Sequence, residues 1–419
     1  MSFNKIEEIL YRIYDGLPQR IKVFIHPVGP AFYFLKRAFF VASQFRLSVY
    51  LLRGKEKWGG GNLTTLILGD ERGLLYLSDL LYSEKPIKES LGKVFIWRIK
   101  SRLNLNLPRV DLIFVKMDGF CSRFLTRCGF MVIPEWTLFL LDLSKLFQGA
   151  WKLSKNKNLS ETLRRIRKHN YSCEVTQDPS KFEYFYHQMY LPYATKRFKE
   201  LTVLTGFRDM ERIFKKGQLL LVKRGDDYVS GNIMRIDGDT VFAPYSGITE
   251  GKMEYLKAGA LTALYYFTII WAKEMGCKWL DFGHCRSFLR DGVFNYKKQW
   301  GMMIRMSARL GAILGMKVCN FHQGVRNFLE KNPFIFIDQK KLKGMILVEQ
   351  NRPLTLEEAQ SLIKTYSITG LDCLVILSDQ GFTQQAEEFG CSNHRLHLIS
   401  TNPDAFFEAF PHVLRSGRS

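Results

Sequence analysis

The sequence is short of cysteine. Eight residues in 419 (121, 128, 173, 277, 285, 319, 373 and 391) include no Cys-x-x-Cys pair. That excludes a disulfide scaffold, argues against a zinc module and suits a reducing compartment. Proline is also sparse, at 13, while 46% of residues are hydrophobic and 14% aromatic, which excludes a disordered or low-complexity chain. No repeat of about 20–50 residues signals a solenoid. Nor is there an uncharged apolar run of the roughly 20 residues a spanning helix needs. The greasiest early stretch, 21–53, is interrupted by Lys36, Arg37 and Arg46 and broken by Pro27 and Pro30. The opening MSFNKIEEIL carries acidic residues where a signal peptide has a basic region, so a cytoplasmic location is expected.

Acidic residues are the last shortage. Forty Asp+Glu face 61 Lys+Arg, a net charge of +21. Such a field calls for nucleic acid, anionic lipid or a phosphate-bearing small molecule. Residues 340–419 hold 8 basic and 9 acidic residues, so positions 1–339 carry a net +22. Within them, residues 31–52 mix Phe, Tyr, Leu and Val with basic side chains. This is the composition of a helix lying on the inner face of a membrane, or of a helix packed on the main domain with its cations in water.

The length predicts about two or three domains. Gly59-Gly60-Gly61 reads as a flexible joint, ending a basic apolar helical segment over 1–61. Strand-like runs at 63–68, 93–99, 110–116 and 137–142, with a helical interval at 71–82, predict a mixed α/β unit over 62–150. A polar linker at 152–158 leads into the helix LSETLRRIRKHN, and a second helix over 180–198 is bent by Pro192. Three strand runs, 218–224, 228–236 and 240–247, are separated by Gly225-Asp226-Asp227 and Asp237-Gly238-Asp239, which predicts an antiparallel meander. A long helix over 254–275, a buried strand over 278–283 and a loop into DGVFNYKKQWG complete a unit over 151–339. The remainder, 340–419, alternates as a small βαβαβ module without a G-x-G-x-x-G fingerprint.

Helix, helix, meander, long helix, buried strand is the core order of the GNAT acyltransferase fold. Asp281-Phe282-Gly283, then Gly292-Val-Phe-Asn-Tyr296-Lys297 and Trp300-Gly301, sharpens the likeness. It resembles the end of the GNAT domain in FemAB-like peptidoglycan-bridge aminoacyltransferases and polysaccharide-associated acetyltransferases. LRRIRKHN is similar to the basic helix that opens that domain. The likeness covers about 155–305 well and 62–150 weakly. It implies an α/β mixed-sheet fold with a tandem pair of GNAT-like units, the first degenerate. The sequence departs from the family at His284-Cys285, where a second small residue is usual, and lacks an inserted pair of long helices.

Acyl transfer needs a base, a polarised carbonyl and a grip on the donor's phosphates. His284, in the loop after the buried strand, is a candidate base or a histidine satisfied locally. Asp281 either orients it or is a buried carboxylate held by backbone N–H groups. The resemblance implies charge stabilisation or phosphate contact for Lys297; taken alone, Lys297-Lys298 reads as a solvated face. Tyr245 and Ser246, at the end of the third meander strand, are candidate substrate contacts with Tyr296 and Arg286, against a packing role for the tyrosines. Gly251 and Lys252, in the turn before the long helix, and Arg164, Arg165, Arg167 and Lys168 are candidate phosphate contacts, against a structural turn and a solvated face.

The expected activity is acyl or aminoacyl transfer to an amine or hydroxyl of a cell-envelope precursor or polysaccharide. Acyl-CoA (acetyl-CoA) or aminoacyl-tRNA would be the phosphate-bearing donor, and no metal is needed. The alternative is a non-catalytic GNAT-fold binding scaffold in envelope assembly. Sequence-specific nucleic-acid binding rests on charge alone, with no reading element to accompany it.

Overall fold

The computed structural model describes residues 45–99, 109–144, 157–202, 204–306 and 311–410. The expected helical stretch 31–52 lies outside them up to residue 44, and the linker at 152–158 does so up to 156. The remaining part of the first stretch is a correction. Arg46–Lys55 is a strand, β1, paired antiparallel with β2 (Asn62–Gly69) through Lys55↔Asn62. Its alternation explains this: Leu47, Val49 and Leu51 are buried while Arg46 is exposed, a period of two that no helix satisfies. Gly59 to Gly61 therefore belongs to a hairpin turn, and no new unit begins there.

After β2 come α1 (Glu71–Leu81), β3 (Ile87–Phe95), β4 (Leu112–Asp118), α2 (Ser122–Arg127), β5 (Met131–Pro134) and β6 (Thr137–Asp142). The basic helix α3 (Lys157–Lys168) and β7 (Tyr171–Thr176) follow, then α4 (Pro179–Tyr184), a π-helical turn (Phe185–Tyr190), α5 (Leu191–Phe198) and α6 (Phe207–Phe214). The meander is present as β8 (Gln218–Arg224), β9 (Asp227–Asp237) and β10 (Thr240–Ile248), with Gly225 and Gly238 at φ +63° and +60° in its turns. The long helix is divided by Gly259 into α7 (Met253–Ala258) and α8 (Ala260–Glu274), and leads to β11 (Trp279–Cys285).

The expected loop after β11 leads into DGVFNYKKQWG, whose residues form a helix, α9 (Gly292–Gln299), because Asp291 Oδ1 accepts the Val293 and Phe294 N–H groups as an N-cap. Then come β12 (Met303–Arg305), β13 (Ala312–Val318), α10 (Gln323–Lys331), β14 (Phe334–Asp338), β15 (Lys341–Val348), α11 (Leu356–Tyr366), β16 (Cys373–Ser378), α12 (Gln384–Ser392), β17 (Leu396–Ser400) and α13 (Pro403–Ala409).

The strands form three sheets, ordered β3-β1-β2-β4-β13-β5, β12-β6-β11-β10-β9-β8-β7 and β14-β15-β16-β17. The first two repeat one pattern. Each contains a parallel pair, β2·β4 or β10·β11, followed by an antiparallel strand and then a short edge strand. In each, that antiparallel strand comes from the other half of the chain: β6 enters the second sheet and β13 the first. The fold is thus a mixed α/β GNAT-type architecture with two like sheets linked by exchanged strands.

The third sheet is equally bound in. Leu280, Phe282 and Phe294 share one core with Ile335, Leu342, Ile346, Leu374 and Ile376. Ile304 N–H donates to Thr369 O at 2.8 Å and Arg290 Nε to the Tyr366 hydroxyl at 2.6 Å. Each buried aliphatic or aromatic side chain contributes about 1.5–3 kcal/mol, so the missing wall would outweigh a typical domain's stability. A chain ending at residue 339 is accordingly expected to lose cooperative thermal unfolding and near-ultraviolet circular dichroism. A soluble fragment with a sharp transition would show that the C-terminal residues fold separately.

Candidate active site

The second sheet parts at one point. β10 and β11 pair in parallel only through Thr240↔Trp279, Val241↔Leu280 and Phe242↔Asp281. Two residues beyond Phe242 stands Pro244, which has no N–H to offer a neighbour. β10 shifts register against β9 between Phe242 and Tyr245, and β11 shifts against β6 between Asp281 and His284. Gly283, at φ +78°, lets the backbones approach: a Cβ there would stand 2.9 Å from Pro244 Cβ. Past this contact the β10–β11 ladder ends, leaving a notch in the hydrogen-bonded sheet.

Three expected site residues meet at the notch. Lys297, on α9, is 2% exposed. Its Nζ donates to the carbonyls of Phe282 (2.9 Å), Gly283 (2.8 Å) and His284 (3.3 Å). An ammonium has three protons, so this one is fully engaged with backbone. Burial pushes its pKa down. Asp281 is buried, and its Oδ1 accepts the Gly283 N–H at 2.6 Å. Burial holds its carboxyl above the usual range, against the pull of that N–H, His284 and Lys297. His284 reaches solvent at the mouth, yet the protein around its ring displaces enough water to hold it below the ordinary 6.5. Asp281 opposes that shift and Lys297 adds to it. A neutral imidazole at pH 7 results, able to accept a proton. Cys285 beside it is buried and pushed up to about 12, so it offers no thiolate.

The other candidates are placed elsewhere. Tyr296 packs edge-on against Tyr265 and Trp300, donates to Thr262 Oγ1 at 3.4 Å, and is raised to about 12 by burial. Tyr245 packs edge-on against Tyr190 on the face covered by α4 to α6, while Ser246 pairs with Asn232 within the sheet. Arg286 points toward the first sheet. It donates to Glu135 Oε1 at 2.8 Å and lies between the rings of Tyr76 (3.8 Å) and Trp136 (4.0 Å). Lys116 bonds the same Glu135 oxygen at 3.0 Å and Asp70 at 3.1 Å, beside a shallow cleft lined by Tyr76, Leu77 and Phe288.

Gly251 is buried at φ +59° with Pro192 O 3.0 Å from where its Cβ would be, and the Lys252 N–H closes the turn onto Thr249 O at 3.1 Å. Lys252 Nζ is held by Glu250 at 3.0 Å. On α3, Glu161 binds Arg164 at 2.7 Å and Arg165 at 2.8 Å, while Arg167 and Lys168 face solvent. Arg165 approaches Gly259: a Cβ there would meet its Cδ at 3.2 Å, at the start of α8. The sequence assigns no role to Gly259 or Pro244, and Gly283 enters it only as part of the Asp281-Phe282-Gly283 motif. Proline inside a strand pattern was the available signal, since it marks an edge or a bulge. Among the described residues, no group of three or more His, Cys, Asp and Glu could hold a metal ion.

The three carbonyl contacts make Lys297 a tie for β11. Lys297→Met should lower unfolding free energy by about 3 kcal/mol in urea titration, with Lys297→Arg failing to restore it, since hydrogen bonds to a buried charge are worth about 1.5–3 kcal/mol and a planar fork differs in shape. Unchanged stability would overturn this structural role.

No protein-family model matches the sequence, and no curated protein does. Solved structures similar to it include L-PGS from Bacillus licheniformis (13% identity, 66% of this chain and 87% of that one, TM-score 0.34). FemX is similar at 13% identity over 60% and 80%, with a TM-score of 0.33. A tandem GNAT protein from the clavulanic acid biosynthesis pathway matches at 10% over 62% and 79%, TM-score 0.27. Likeness at this level adds no argument of its own. On its own strand order, its divergent β10–β11 pair and its two like sheets, the chain has a GNAT-type fold resembling that of the FemAB-like acyltransferases.

Proposed function

We propose that the protein transfers an acyl or aminoacyl group to an amine or hydroxyl of a cell-envelope precursor or polysaccharide. The observation that carries this is the break in the β10–β11 ladder, with the exposed His284 beside it. The acceptor's lone pair attacks the donor carbonyl as its proton passes to His284. The tetrahedral intermediate then collapses, the bond to the leaving group breaks, and that group takes a proton from the imidazolium or from water. Asp281, three residues back, stabilises the imidazolium electrostatically. Lys297 holds the strand that carries both.

For the donor, acyl-CoA and aminoacyl-tRNA share phosphate. Arg165, Arg167 and Lys168 lie on the helix whose Arg165 approaches the start of α8, and are the favoured contacts. The turn at Gly251 is packed shut, which favours the second reading, a non-catalytic binding scaffold. Calorimetry showing no binding of acyl-CoA or charged tRNA would support that reading.

The test is transfer of label from a panel of acyl-CoAs and aminoacyl-tRNAs to glycan and muropeptide acceptors. His284→Ala should lower kcat by about 10²–10⁴-fold, the range for removing a general base. In the native protein, kcat/KM should rise with pH through a limb below the ordinary histidine value of 6.5 and be level by neutrality, because burial favours the neutral ring that acts as base. A limb that persists in His284→Ala would remove His284 from the chemistry.

A further inference from the structure

One corner of the first sheet presents a surface that the acyl-transfer reading leaves unused. Phe45, Phe95 and Trp97 are 43%, 40% and 60% exposed, where large aromatic side chains are ordinarily covered. They form one cluster: Phe95 stacks on Trp97 at 4.8 Å and Phe45 lies 6.2 Å from the same ring. Arg46, paired with Phe95 across β1 and β3, stands over its ring at 5.8 Å.

The pairing register shows what surrounds the cluster. Phe95, Lys93, Ser90 and Lys88 of β3 lie opposite Arg46, Ser48, Tyr50 and Leu52 of β1, so all share one face. Lys88 Nζ covers the Tyr50 ring at 4.6 Å. Among the β1 and β3 residues this face carries Arg46, Lys88 and Lys93 and no carboxylate, and is closed at its far end by the buried Leu52, whereas Glu89, opposite Leu51, points to the other side. β3 is also an edge strand with few buried residues. Finally, the face begins where the stretch 21–45, rich in Phe, Tyr and Lys/Arg, enters β1.

We propose that this basic–aromatic corner is a docking surface for a bilayer carrying anionic lipids. Trp and Phe rings favour the headgroup boundary, and a cluster of Lys and Arg is drawn to the negative surface potential within a Debye length. Single-stranded nucleic acid can also combine cations with stacked rings. The run of apolar side chains leading into Phe45 favours lipid. The proposal stands independently of the acyl-transfer reading, since it needs neither His284 nor a donor.

The experiment is flotation of the full chain with vesicles of phosphatidylcholine plus phosphatidylglycerol, against pure phosphatidylcholine. The native protein should float with the anionic vesicles and detach at high salt. Lys88→Glu with Lys93→Glu, and separately Phe95→Ser with Trp97→Ser, should each reduce the bound fraction about tenfold, two cations being worth roughly that factor or more near such a surface. Lys215→Glu with Lys216→Glu, an equal charge change at exposed sites elsewhere, should leave it unchanged. The charge-reversal pair lies on exposed side chains, so it remains informative should the aromatic pair misfold. Equal loss in the Lys215/Lys216 control would assign binding to the overall field and overturn the proposal. So would undiminished flotation of both corner variants, no binding to either vesicle, or displacement of the protein from vesicles by a single-stranded oligonucleotide bound through the same residues.

Discussion

A strand that leaves its neighbour in mid-sheet strips its own backbone of partners, and buried carbonyls without partners are expensive. β11 does this after Asp281, and the ammonium of Lys297 restores what is lost, taking the three successive carbonyls of Phe282, Gly283 and His284. Everything distinctive about the site follows. The notch can stay open because the exposed strand end is held from behind by α9. His284 is fixed at the mouth because its own carbonyl is one of the three. Burying a lysine is tolerable only with such complete hydrogen bonding, and the geometry supplies it.

Much of this was legible in the sequence, and the exceptions have physical causes. The meander was readable because its turns and its period-two burial are local properties of a few residues, and strands 218–224 and 137–142 have the expected bounds. Lys297 was singled out by resemblance, but its contacts could not be foreseen, because they join a helix to a strand end whose backbone conformation depends on Gly283 and Pro244 together. α9 was hidden by a weakly amphipathic sequence, and only the cap by Asp291 discloses it. Residues 31–52 invite a helical reading because they mix Phe, Tyr, Leu and Val with basic side chains, although the alternation within 46–51 is there to be counted. Pairing of β6 with β11 joins residues some 140 positions apart, and no local pattern encodes that.

The surplus of positive charge acquires a more specific distribution. Of the four cations over 164–168, two are bound to Glu161, which leaves Arg167 and Lys168 exposed without that carboxylate. Arg286 and Lys116 are both spent on Glu135, joining the loop after β11 to the first sheet through a shared carboxylate. Tyr76 and Trp136 close over the Arg286 guanidinium, so this link is partly desolvated and correspondingly stiff. The two sheets are therefore coupled close to the mouth of the notch as well as through their exchanged strands.

That exchange also governs the order in which the chain can fold on the ribosome. β13 lies between β4 and β5, so the first sheet has a gap until residue 318 has been synthesised. At usual synthesis rates of about 5–20 residues per second, the nascent chain carries β4 and β5 with open edges for roughly 10–40 seconds after both have emerged. Open edges are templates for pairing with other chains. The first half therefore cannot close its sheet as it emerges, and the edges of β4 and β5 stay open to mispairing until the second half arrives.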